Sequence, residues 1–194
     1  MVTRKKREQI KEAAGKFLLL ADIEKPPVSV NHIARLQGVQ VRYVPCEEEM
    51  AGLLYREGEQ VIIGVNALNT KTRQRFTIAH ELGYLQINGP EKLHVDVKFN
   101  AFIGNPGASK AIDTAEIEAN IFAFELLMPE AFLKRDIIEK DYDIEDEEWV
   151  RTLADKYKVS MSIMAFRLSD LDLTLSLPSV ATRPLQRTQS QICG

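Results

Sequence analysis

The residues of this chain best placed to do chemistry are His80, Glu81 and Tyr84, within RQRFTIAHELGYLQIN from Arg73 to Asn88. Two histidines four residues apart lie on one face of a helix and can grip Zn²⁺. A glutamate after the first can take a proton from the bound water. His80 and Glu81 hold the first two places of that H-E-x-x-H arrangement, and Tyr84 occupies the second ligand position. A phenol, with a pKa of about 10, must lose its proton before it can bind a metal. Tyr84 therefore reads first as a packed aromatic filling the ligand space and second as a phenolate ligand. A complete site of two histidines and a glutamate keeps one position open for water, whose pKa falls to about 7.

A later segment, Glu116 to Pro129, reads EIEANIFAFELLMP. On the helix it predicts, Glu118 and Glu125 share one polar edge and Glu116 sits nearer the opposite one. Helical phase alone leaves open which glutamate reaches a metal. The bland alternative is a pair of carboxylates solvated at the rim of a cleft. Two other histidines are present. His94, in LHVD, follows the motif helix by a short connection and could approach the cleft. His32 lies in an N-terminal helical segment and is the weaker candidate, since a lone histidine is more often a structural or surface residue.

Together, RFTIAHELG and EIEANIFAFELLMP resemble the ImmA/IrrE family of metallopeptidase-like proteins. That family couples an H-E-x-x-H helix to a later helix carrying E-x-E-A-N-x-F-A-x-x-L-L-M-P. The similarity extends to IIGVN at Ile62 to Asn66, to Arg73, Arg75 and Phe76, to LHVD, and to the terminal helical segment, so it spans residues 1–173. It implies a zincin-like domain, a zinc cofactor, His80 as the first metal ligand and Glu81 as the catalytic base. It also implies a glutamate ligand in EIEAN, with Glu118, directly before Ala119-Asn120, as first choice and Glu116 as second. The implied partner is a protein, typically a helix-turn-helix transcriptional repressor cut to relieve repression. Asn88 stands where many relatives have another histidine, so Tyr84 is not an isolated departure. Two expectations result: a regulatory zinc metallopeptidase-like antirepressor with weak metal binding, or an inactive relative that sequesters its partner without cleavage.

Composition frames these expectations. With 194 residues, 45% hydrophobic and 27% charged, the chain can bury a substantial core. A net charge of -3 gives no global attraction to nucleic acid. Cys46 and Cys193 lack metal-type spacing, which points to a reducing, cytoplasmic setting. The apolar run Phe17 to Ala21 is too short for a signal peptide, and no run approaches the roughly 18 apolar residues of a membrane span.

The patterning predicts an α+β fold with a small sheet ahead of the motif helix. A helix is expected over Thr3 to Ala21, ended by Pro26 and Pro27, then a short one at Val30 to Leu36 capped by Asn31 and stopped by Gly38. A strand follows at Val39 to Val44. A hairpin comes next, Met50 to Tyr55 with Gln60 to Val65, around a polar loop at Arg56 to Glu59. The motif helix should start near Thr70 or Thr72 and stop at Asn88-Gly89-Pro90. Residues 91–109 read as irregular apart from an extended piece at His94 to Phe99. Helices are then expected at Ile112 to Met128 and Glu130 to Arg135, with a solvated acidic loop from Glu139 to Glu148. Trp149 to Leu173 has the cadence of a helix-turn-helix, but its second half carries only Arg167 against Asp170 and Asp172. DNA binding is therefore disfavoured. The expected organisation is 1–140 as the metallopeptidase-type domain, 141–173 as a helical extension and 174–194 as a disordered tail.

Overall fold

A computed structural model describes residues 2–46, 50–89, 114–138 and 147–171, and 93–96 as backbone. Expectations for the rest of 91–109, for 139–146 and for the tail fall outside these residues. The first helix, α1 (Arg4–Leu20), is capped by the Thr3 side chain, which accepts from Lys6 N–H. It stops well before the two prolines. Asp22 adopts a left-handed conformation (φ 53°), while Asp22 and Ile23 N–H donate back to the Leu19 and Leu18 carbonyls. That is a Schellman closure with aspartate in the usual glycine place. In α2 (Val30–Leu36) the N-cap is Ser29, without a side-chain bond. Asn31 faces elsewhere, its Oδ1 accepting from the Tyr43 hydroxyl at 3.1 Å.

Four strands form one sheet in the order β1-β3-β2-β4: β1 (Val39–Val44), β2 (Gly52–Glu57), β3 (Gln60–Asn66) and β4 (Leu93–Asp96). β1 runs parallel to β3, and the other two pairings are antiparallel. The hairpin is tighter than the sequence suggests. Glu57 already pairs with Gln60, leaving a two-residue turn in which Gly58 supplies the positive φ of 62°. β3 is buried from Ile62 to Asn66, as befits a strand paired on both sides.

The motif helix is α3 (Lys71–Asn88), capped by Thr70 Oγ1 accepting from Arg73 N–H and ended by Gly89 at φ 79°. It is buried continuously from Phe76 to Tyr84. Among the described residues four further helices follow: α4 (Thr114–Leu127), α5 (Glu130–Ile138), α6 (Glu147–Tyr157) and α7 (Met161–Asp170). Glu147 and Glu148, expected in a solvated loop, instead form the first turn of α6, where carboxylates complement the positive end of the helix dipole. α6 closes on Lys158 (φ 55°), and Ser160 caps α7 through Ile163 N–H.

One buried cluster joins the layers. It includes Phe17 from α1, Leu54 and Ile63 from the sheet, Phe76 from α3, Phe122 from α4, and Leu153 and Ile163 from α6 and α7. Edge-to-face ring pairs Phe17–Phe122 and Phe76–Phe124, with Phe124 stacked on Phe166, hold α4 at its centre. α1 is pinned over this core by ion pairs from Arg7 to Asp170 and from Lys11 to Glu130. Hydrogen bonds from Lys11 and Lys134 hold the Glu130 carboxyl down to about 2, so the α1–α5 pin stays charged until the pH falls to that value. Among the described residues, no helix is long and apolar enough to cross a membrane.

Candidate functional site

The position of α3 is set at its first turns. Gln74 Nε2 donates to the carbonyls of Ala67 (3.0 Å) and Asn69 (2.8 Å), tying the helix to the loop after β3. Arg75 reaches the carbonyls of Val28 (2.8 Å) and Lys158 (3.1 Å), linking α3 to two distant segments. Burial pulls its pKa below the ordinary arginine value. Asn66, 1% exposed, organises the approach to β2. Its Nδ2 donates to Met50 O (2.9 Å), and its Oδ1 accepts from the N–H groups of Leu68 (3.0 Å) and Cys46 (3.3 Å).

These bonds deliver Gly52, the first residue of β2, onto the turn of α3 that carries Glu81. A Cβ on Gly52 would lie 2.3 Å from Thr77 Cγ2 and 3.7 Å from Glu81 Oε1, so only glycine permits this approach. On the other side of α3, a Cβ on Gly83 would lie 2.8 Å from Phe122 Cβ. The two glycines let the sheet and α4 close on the motif helix from both sides.

His80 is 2% exposed and Glu81 is fully buried. His80 Nδ1 lies 3.0 Å from Asn120 Oδ1, and Nε2 lies 3.3 Å from Glu116 Oε2. Residues 116 and 120 are one turn apart on α4, so one face of that helix holds both ring nitrogens of one histidine. Glu118 lies on another face, its Oε2 3.1 Å from Lys6 Nζ of α1. Of the two glutamates in EIEAN, Glu116 is therefore brought to His80 and Glu118 is engaged by the N-terminal helix. Tyr84, one turn beyond His80 on α3, is 6% exposed and belongs to the core cluster. His32 lies in α2, with Nδ1 3.3 Å from Arg35 Nη2, and His94 is placed only through the β4 backbone, opposite Leu54.

The chemistry of this arrangement follows from donor and acceptor types. His80 Nδ1 is within hydrogen-bond reach of the Asn120 amide, whose oxygen accepts when Nδ1 carries the proton. Nε2 faces the Glu116 carboxylate at 3.3 Å. Imidazole nitrogen and carboxylate oxygen both suit Zn²⁺, and an acceptor on the far ring nitrogen is the usual support of a ligating histidine. A third strong donor is not in place: among the described residues no group of three or more His, Cys, Asp and Glu is arranged to hold a metal. His80 and Glu116 are two donors of suitable chemistry, and Tyr84 stands one helical turn from His80 within the core cluster, so the residues present fit a metal only weakly.

Sequence reasoning missed Asn120 and Lys6. The i, i+4 spacing of Glu116 and Asn120 was a signal for the first. Nothing local could have revealed the second, because Lys6 and Glu118 meet only through tertiary packing.

Residues 34–169 match the family model Peptidase_M78, described as an IrrE N-terminal-like domain. Among solved structures, a Mycobacterium tuberculosis transcriptional regulator is similar, with a TM-score of 0.56 and 17% identity over 89% of this chain. The chain spans 48% of that protein's length, and at this identity the likeness is one of fold. No curated protein matches the chain.

Proposed function

This chain belongs to the IrrE N-terminal-like family, and from that premise we propose that it is a regulatory metallopeptidase-like protein acting on a partner protein, a helix-turn-helix transcriptional repressor. The observation that carries the reading is the buried His80, held between Asn120 and Glu116 with Glu81 beside it on the same helix. His80 and Glu116 would hold the metal, in preference to Glu118, whose carboxylate Lys6 already engages. When bound there, Zn²⁺ supplies Lewis acidity. Glu81, as a carboxylate, accepts the proton of the attacking water and later returns it to the leaving amine. A zincin-like architecture is supported by the same placement, with the sheet passing Gly52 across the motif helix beside Glu81.

The solved regulator of similar fold gives the regulatory theme some support, as a likeness only. We assign 141–173 to a helical extension of the 1–140 domain that packs rather than reads DNA. Arg167, the lone basic residue of α7, is 1% exposed and paired with Glu125 at 2.7 Å, so α7 has no cation to offer a base edge.

A second reading is favoured by one residue. Tyr84 in the ligand position suits a family member that grips the repressor without cutting it. Glu81→Gln separates the two, since an amide cannot accept the water's proton while its shape keeps the fold. Co-expressed with the repressor, the parent should yield a shortened repressor band and Glu81→Gln should not. Derepression with full-length repressor, equal in parent and variant, would establish the binding-only reading instead.

A further inference from the structure

We propose that the surface where the start of α3 meets α2, the end of β1 and the α6–α7 turn docks an acidic segment of a partner protein. That segment carries apolar side chains beside its carboxylates. The proposal rests on the partner of the proposed function being a protein, and its test reads binding alone, apart from metal and cleavage.

Three stretches of sequence without Asp or Glu come together here. Residues 25–46, 60–80 and 156–169 contain no acidic residue, and each carries three Lys or Arg. Arg75 of α3 joins them, its Nη2 donating to Val28 O at 2.8 Å and its Nε to Lys158 O at 3.1 Å. Tyr43 makes a second joint. Its hydroxyl donates to Asn31 Oδ1 on the first turn of α2, and Lys71, the first residue of α3, holds Nζ 6.0 Å from the ring centre. Arg35 stands one helical turn beyond Asn31 on the same face of α2.

The cations gathered here lack the partners that cations elsewhere in the fold have. On α1, Lys6, Arg7 and Lys11 each face a carboxylate of another helix. Within the three acid-free stretches, Arg42, Lys156 and Arg167 are matched by Glu57, Asp136 and Glu125. Arg35, Lys71, Arg75 and Lys158 have no carboxylate within ion-pair distance among the described residues. Burial works against the charge of Arg75, and its hydrogen bonds go only to carbonyl oxygens. A carboxylate brought from outside supplies the opposite charge that this group of cations is missing.

The second observation is apolar. Tyr43 and Val44, each nearly half exposed, close β1, and Leu68, 74% exposed, lies in the loop whose Ala67 N–H bonds to Val44 O. Aromatic and apolar side chains among arginines are the make-up of a protein interface, where tyrosine and arginine most often carry the energy. Nucleic acid suits the surface less. A phosphate backbone is held through about six to ten contacts, and the chain's net charge of -3 opposes a long polyanion. A short acidic segment feels chiefly the local field. His80 lies about 14 Å along α3 from Lys71 at the usual rise per residue, a span that one docked domain covers.

The probe is a fluorescent acidic peptide with one apolar side chain per helical turn, titrated with the full chain at low and at physiological salt. The parent should bind it, and more weakly as salt rises. Arg35→Gln/Lys71→Gln/Lys158→Gln should lower the affinity at least tenfold, and Tyr43→Ala about tenfold. Arg4→Gln/Lys5→Gln/Lys16→Gln removes the same charge from exposed positions of α1 and should stay within about twofold of the parent. Unchanged melting temperatures verify that these exposed substitutions keep the fold. Glu47→Gln/Glu48→Gln/Glu49→Gln, in the acidic run that follows Cys46 in sequence, should match the parent. A gain of tenfold or more in that variant means that the chain's own carboxylates fill the surface. Equal losses in the two basic triple variants mean that net charge alone attracts the peptide. Tighter binding of a random DNA duplex through the same residues assigns the surface to nucleic acid. Each of these results, or a parent that does not bind the peptide, overturns the proposal. All are read without Zn²⁺ and without the repressor, so they leave the cleavage test with Glu81→Gln to stand or fall separately.

Discussion

Arg167→Ala should destabilise the protein by about 3–5 kcal/mol, the usual result of removing one partner from a buried ion pair. The guanidinium is buried in α7, pairs with Glu125 of α4 at 2.7 Å, donates through Nε to the Met128 carbonyl at 3.2 Å, and lies 3.6 Å from Asp170. Asp170 is also the partner of Arg7 on α1. One side chain thus joins α7, the end of α4 and, through Asp170, α1. Its loss strands Glu125, whose side chain is only 11% exposed, in a site built for a salt bridge. For a domain of this size, thermal denaturation should show a fall in Tm on the order of 10 °C. Arg167→Met combined with Glu125→Leu should recover most of the loss, because the uncompensated charge goes with the pair. A fall of less than about 1 kcal/mol in Arg167→Ala would mean that solvent relaxes into the site and the network does not brace α4.

Tyr84→His should convert weak metal binding into strong binding. The substituted histidine would stand one helical turn from His80, the spacing at which two imidazoles share a metal on one face. A metal bound only to the folded state stabilises it by mass action, about 2.7 kcal/mol at a hundredfold excess over Kd and about 4.1 at a thousandfold. Thermal melts with and without Zn²⁺ should therefore separate widely for Tyr84→His and narrowly for the parent. Equal separation in the two proteins would show that position 84 does not face the cation, and that Tyr84 is only part of the core it packs into.

Much of this architecture could be read from local sequence. Thr70 and Gly89 bracket α3 as capping residues should, and the alternation on either side of the polar loop that contains Gly58 marks the hairpin. The misread boundaries share a cause, which is that a single residue did an unusual job. Asp22 closes α1 in a left-handed conformation that glycine normally takes, so the helix ends before Pro26 and Pro27 without their help. Glu147 and Glu148 looked like part of a solvated run, yet they begin α6.

The site was legible up to the point where tertiary packing decides. His80 and Glu81 stand out because polar residues on a helix apolar on both sides must be buried with partners. The choice between Glu116 and Glu118 was not legible, because α4 is apolar nearly all round and its own periodicity does not say which face meets α3. Phe122 seated against Gly83 sets that face, and it turns Glu116 and Asn120 to His80 together. Lys6, far away in sequence, settles where Glu118 goes.

In the proposed function, His80 and Glu116 share the cation site at which this chain acts. Zn²⁺ titration of the dialysed parent beside Glu116→Gln and Glu118→Gln tests it most directly. The parent should bind Zn²⁺ weakly, Glu116→Gln should lose at least the roughly 10–100-fold that even outer-shell changes cause, and Glu118→Gln should match the parent. Lost affinity in Glu118→Gln with none lost in Glu116→Gln would contradict the assignment and return the ligand role to Glu118.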